Sequence, residues 1–95
     1  MKLLLAVVEG SHKEEIETLL QKAGASGYTE IPNALGVGMT GPRLGSRAFP
    51  KTSAMIFSAM EDDALVRLRE EIRTYCASCG ERVKLFALSA EEVLG

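Results

Sequence analysis

The chain has 95 residues, 46% of them hydrophobic and 25% charged, with eleven bases against thirteen acids and a net charge of −2. This describes one folded domain, too apolar for disorder and too short for two units. The balance is not that of a generic nucleic-acid binder, and with no Trp, three Phe and two Tyr the clustered aromatics of a base-stacking surface are missing.

The first feature is Leu3 to Val8, six apolar residues closed by Glu9. The run is too short for a signal core or a membrane span, which need about 7–15 and about 20 apolar residues. It predicts a buried central strand in a cytoplasmic protein. Ser11-His12-Lys13-Glu14 then matches a capping box, with Ser11 and Glu14 satisfying the first helical N–H groups. Ile16, Leu19, Leu20 and Ala23 follow on one helix face, and Gly24 is placed to stop that helix.

Gly27 to Ile31 predicts an alternating strand bounded by Pro32. Residues 32–51 differ from the rest. They hold all three prolines, four of the nine glycines (Gly36, Gly38, Gly41, Gly45), Arg43, Arg47, Lys51 and no acid. The segment reads as a long uncovered loop carrying +3, and such loops are usually functional or mobile. Thr52 to Met60 predicts a third strand. Glu61-Asp62-Asp63 suits a helix N-terminus, and Leu65, Leu68, Ile72 and Tyr75 give a second amphipathic helix with Arg67 and Glu71 on its solvated side. Cys76 and Cys79 fall in its last turn, Gly80 ends it, and Val83 to Leu88 predicts the last strand. Ser89 to Glu92 is a second possible capping box for one terminal turn.

The order β-α-β-loop-β-α-β predicts an α+β fold. Its natural solution is a ferredoxin-like βαββαβ sandwich: a four-stranded antiparallel sheet, two helices on one face, and a long loop between the second and third strands. This fold hosts many activities. A copper-chaperone type would carry its Cys pair after the first strand, and an acylphosphatase type an anion-gripping Arg there. Glu9-Gly10-Ser11-His12 has neither.

Several local stretches then resemble the PII signalling family, in its short PII-like form. They are Gly27-Tyr28-Thr29 entering the second strand, Gly36-Val37-Gly38 opening the long loop and Phe49-Pro50-Lys51 closing it. Gly80 to Phe86 is similar to the family's B-loop and the strand after it, and Ala90-Glu91-Glu92-Val93 to its acidic-valine stretch. The resemblance spans residues 1–95 as one domain, with 32–51 as the T-loop. It differs in having one B-loop glycine, no acid in the third strand, no tyrosine in the loop and no basic segment before Gly95. The resemblance implies a homotrimer that is a regulator and not an enzyme. It would bind an adenine nucleotide (ATP, ADP or AMP) or a small anion between subunits, and act through its loop on a partner protein such as a membrane transporter.

Thr29, Gly36, Gly38, Arg47, Lys51, Arg82 and Lys84 are the candidate ligand-binding residues. Glycine-permitted turns would aim loop N–H groups at one anion while the bases add charge. The plain alternative is a solvated loop, a strand-surface Thr and solvated bases. Cys76-Ala77-Ser78-Cys79 supports a different function, a metal- or redox-responsive module like trimeric CutA proteins. One C-x-x-C supplies only two soft ligands where structural zinc takes four, and a helix C-terminus raises thiol pKa, so partly buried inert thiols are the other reading. With one His and no readable triad, the chain carries no catalytic motif.

Overall fold

The computed structural model describes residues 1–38, 41–79 and 83–95, with 76–79 as backbone only. Strand β1 (Lys2–Glu9) leads through a 3-10 turn at Gly10–His12 into helix α1 (Lys13–Lys22). Strand β2 (Thr29–Ala34) is followed by a short ribbon, β3 (Gly36–Gly38) and β4 (Gly41–Arg43). Strand β5 (Ser53–Met60), helix α2 (Asp62–Cys79) and strand β6 (Val83–Ser89) complete the chain. The main sheet has the order β2-β5-β1-β6, antiparallel throughout, with both helices on one face. This is the ferredoxin-like α+β fold expected from the element order.

Alternation along the two central strands builds the core. Leu4, Ala6 and Val8 of β1 and Ala54, Ile56 and Met60 of β5 face the helices and are almost fully buried. Ile16 and Leu20 of α1 and Ala64, Leu68 and Ile72 of α2 close over them. Ser58 is the polar member of this face, and its hydroxyl donates to the Gly27 carbonyl at 2.6 Å. The bond keeps a buried hydroxyl satisfied and fixes the chain entering β2.

The first helix begins differently from the sequence expectation. The chain winds a 3-10 turn over Gly10–His12, so Ser11 lies inside a helical turn instead of capping one. His12 holds the N-cap position without a side-chain cap bond. Tight turns of this kind satisfy the first donors through the backbone. The helix ends as expected: Gly24, at φ +96, donates to the Gln21 carbonyl and Ala25 to the Leu20 carbonyl. That is a Schellman closure, and the left-handed φ calls for glycine.

Arg67 and Glu71 are not simply solvated. Arg67 donates to the Ala23 carbonyl through Nε and Nη2, at 3.2 and 3.1 Å, and Glu71 pairs with Lys22 at 3.3 Å. Both side chains tie α2 to the end of α1. No terminal turn forms after β6, because Ala90 donates to the Met1 carbonyl and carries the extended pairing past Ser89.

Strand β2 starts two residues later than expected and runs through Pro32, with an irregularity between Ile31 and Ala34 and Asn33 at φ 57. An edge strand tolerates proline because one side of it has no partner needing its N–H. On its helix side Glu30 pairs with Lys13 at 3.0 Å and lies against Glu17. The Glu17 carboxyl is pushed up to about 7, first by burial and then by the hydrogen bond to Glu30 and its charge. Its Oε2 is buried with no hydrogen-bond partner among the described residues, which disfavours the charged form. Glu30 is held below the usual carboxylate range by the hydrogen bonds from Glu17 and Lys13, so the shared proton resides on Glu17.

Candidate functional site at the loop end of the sheet

One end of the sheet gathers the end of β1, the stem of the excursion between β2 and β5, and the start of β6. The excursion is built rather than open. Gly36 pairs with Arg43, Val37 with Pro42 and Gly38 with Gly41 in the β3–β4 ribbon. Residues 44–51 then fold back. Leu44 and Ser46 donate to the Phe49 carbonyl at 3.4 and 3.0 Å, and the Phe49 N–H donates to the Ser46 hydroxyl at 3.1 Å. Gly45, at φ +61, donates to the Lys51 carbonyl at 3.3 Å. The uncovered loop expected over 32–51 is therefore a hydrogen-bonded hairpin and turn. It still exposes apolar side chains, with Leu35 at 63% and Val37 at 76%.

This changes the part expected of the glycines. Gly36 and Gly38 lie in an extended ladder, and the positive-φ glycines of the excursion are Gly41 and Gly45. An N–H nest at Gly36 and Gly38 does not form. Arg47 lies exposed in the turn and makes no ion pair among the described residues. Lys51 points to Glu9, whose Oε1 it meets at 3.1 Å, and Arg43 Nη2 lies 3.8 Å from Glu9 Oε2. The Glu9 and Arg43 side chains are only 15% and 12% exposed. The Gly10 N–H donates to the Thr52 carbonyl at 3.0 Å and holds the two strand ends together beside them.

Thr29 and Lys84 lie on the sheet face away from the helices. One row across that face reads Thr29, Phe57, Leu5, Phe86 and the next reads Ile31, Met55, Val7, Lys84. The two candidates thus occupy opposite edge strands, three strand spacings or roughly 14 Å apart. A single protomer does not bring them into one cleft. Between them the face is apolar, with Leu3, Leu5, Val7, Met55 and Phe57 half-buried, and Phe86 and Leu88 exposed at 52% and 57%.

Arg82 lies outside the described residues, as does Gly80. Cys76 and Cys79 complete the backbone of α2, and their side chains lie outside the described set. The His12 Nδ1 is 2.9 Å from the Tyr75 hydroxyl, which places the only histidine against the last turns of that helix. Among the described residues no three His, Cys, Asp or Glu side chains converge to hold a metal, and no helix is long and apolar enough to cross a membrane.

The sequence reading missed Glu9, treating it only as the end of a strand. The signal was available as charge balance: an acid closes an apolar run, and the excursion that returns beside it carries three bases and no acid.

The sequence model of the family described as Nitrogen regulatory protein P-II matches residues 1–94. The chain belongs to this family. No curated protein sequence matches it. Among solved structures, CPII, a nitrogen regulatory PII-like protein from Thiomonas intermedia, is similar in its complex with ADP, AMP and bicarbonate. The TM-score is 0.72 at 28% identity, over 92% of this chain and 84% of that one. CPII bound to ADP and bicarbonate aligns at TM-score 0.72 and 29% identity, with the same coverage. A PII-like signalling protein from Thermus thermophilus shares the fold at TM-score 0.66 and 14% identity, over 92% of this chain and 82% of that one. The chain is thus a PII-like regulatory protein.

Proposed function

We propose that this PII-like chain works as a cytoplasmic homotrimer that binds an adenine nucleotide in its inter-subunit clefts. Residues 32–51 then present the bound state to a partner protein, and the chain is a regulator rather than a catalyst. The observation that carries the reading is the open sheet face, which sets Thr29 and Lys84 on opposite edges of a continuous apolar surface. Covering that surface with neighbouring copies removes exposed Phe86 and Leu88 from water and brings one copy's edge beside another's. A small domain that covers only one sheet face with its own helices gains burial by such association.

Support for the ligand comes from the relatives. CPII binds ADP, AMP and bicarbonate in its solved complexes, and this chain supplies Arg47, Lys51 and Lys84 near the corresponding loop end. Cationic side chains there give a phosphate charge-assisted hydrogen bonds of about 1.5–3 kcal/mol each. Titration calorimetry with ATP, ADP and AMP, each with and without bicarbonate, tests the binding, and light scattering on the same samples tests the assembly. The expected result is three times the protomer mass and saturable heat for at least one adenine nucleotide, lost in the Lys51→Ala, Lys84→Ala double variant. A monomer that gives no heat with any of them overturns the reading.

A further inference from the structure

Of the two cations closest to the strand end Arg43 is largely buried and Lys51 is exposed, and both already face an acid. Lys51 and Arg43 both face the carboxylate of Glu9, one on each oxygen, at 3.1 and 3.8 Å. Glu9 is largely buried at the last position of β1, directly opposite Ser53 in the ladder. Its backbone is therefore fixed by the central pairing of the sheet. The two cations bracket the second half of the excursion, Arg43 at the base of the ribbon opposite Gly36 and Lys51 at the return into β5. One carboxylate on a rigid strand thus joins the base of the ribbon to the end of the turn that follows it.

We propose that Glu9 is a specificity-determining residue, an internal carboxylate that an incoming anion must displace from Lys51 and Arg43 before it can bind at the loop end. A carboxylate offers the same two-oxygen edge to a cation that a bicarbonate or a phosphate oxygen pair offers. Being tethered, it competes at an effective concentration in the millimolar range. Weak monovalent anions at low concentration are excluded, and a ligand with further contacts, such as a nucleoside diphosphate, prevails. Displacement also removes the tie between Arg43 and Lys51, so anion occupancy and the position of the excursion change together. The inference rests on the nucleotide-binding reading above.

The test compares the full chain with Glu9→Gln and Lys51→Ala, using ADP, AMP and bicarbonate as probes in calorimetry. Amide exchange of residues 36–38 and 41–51 is followed without ligand. Gln keeps the size of Glu9 and one acceptor oxygen but removes the competing charge. Glu9→Gln is expected to bind ADP about tenfold tighter than wild type and to exchange faster across the excursion, whereas Lys51→Ala binds ADP more weakly. Circular dichroism and melting establish that each variant is folded. Should Glu9→Gln not fold, Glu9→Ser replaces it with the same expectation. If wild type and the Glu9 variant bind ADP equally, or the variant binds more weakly, the competition is overturned while nucleotide binding stands. If neither chain binds any of the probes, the nucleotide reading fails and the competition fails with it.

Discussion

The two faces of the sheet are made from the same strands and differ by one step in register. On the helix side, Leu4, Ala6, Val8, Ala54 and Ile56 are closed off almost completely. One residue along each strand, Leu3, Leu5, Val7, Met55 and Phe57 are only half-buried, and β6 adds exposed Phe86 and Leu88. A half-solvated antiparallel sheet would alternate apolar and polar residues, whereas β1 reads as a continuous apolar run. The contrast teaches that both faces are built for cover. The chain's own helices cover one, and the proposed trimer would cover the other with copies of the same chain.

The largest expected effect lies on the closed face. Ile56→Ala removes a side chain with no solvent exposure from the core between the sheet and the helices, and urea unfolding is expected to show a loss of about 2–5 kcal/mol. The same measurement on a residue of the open face separates the two surfaces. Phe86→Asp is expected to leave protomer circular dichroism unchanged and to disperse the assembly, read by light scattering as a fall to the protomer mass. A fully trimeric Phe86→Asp protein would break the comparison, because an uncompensated charge buried in an apolar contact is strongly unfavourable.

The smallest effect belongs to the edge of the closed face, where α1 meets β2. Glu17 has its native pKa raised to about 7 from an ordinary 4.5. Its contribution to stability is complete below the unfolded value and is lost as pH rises toward 7. Glu30 is shifted the other way, so its contribution is lost only as pH falls below the ordinary carboxylate range. Between pH 5 and 8 the Glu17 contribution governs, and wild type is expected to melt a few degrees lower at pH 8 than at pH 5. Glu17→Gln cannot titrate and flattens that slope. A slope unchanged in Glu17→Gln would assign the pH dependence to other groups.

Much of the fold was legible because it rests on short-range rules. The apolar run at Leu3–Val8, the face made by Ile16, Leu19 and Leu20, the stop at Gly24 and the acids before α2 each predict their element by local sterics or charge. The misses share a cause. Ser11 has the residue type of a cap, but the ladder between Gly10 and Thr52 sets how the chain leaves β1, and a 3-10 turn takes the place of the cap. Ser89 to Glu92 likewise has a capping pattern, and pairing with Met1 holds that stretch extended. Gly36 and Gly38 suggest turns, yet cross-strand partners at Arg43 and Gly41 draw them into a ribbon. In the first two cases a hydrogen bond to a residue distant in sequence outweighs a local preference worth about 1 kcal/mol, and in the third the pairing within one hairpin does so.

The amino-acid sequence by itself determined the four main strands and two helices, their chain order, the excess positive charge of residues 32–51 and the membership of the PII family. These depend on periodicity, residue chemistry and motif, all of which survive without coordinates. Only the tertiary structure decided which face of each strand is closed and that Thr29 and Lys84 stand on opposite edges of the open one. It also decided that Glu9, separated from Arg43 and Lys51 by more than thirty positions, meets both. The physical reason is that register and strand order are collective. The pairing of β1 with β5 sets every residue's face at once, and no local stretch of sequence contains its own partner.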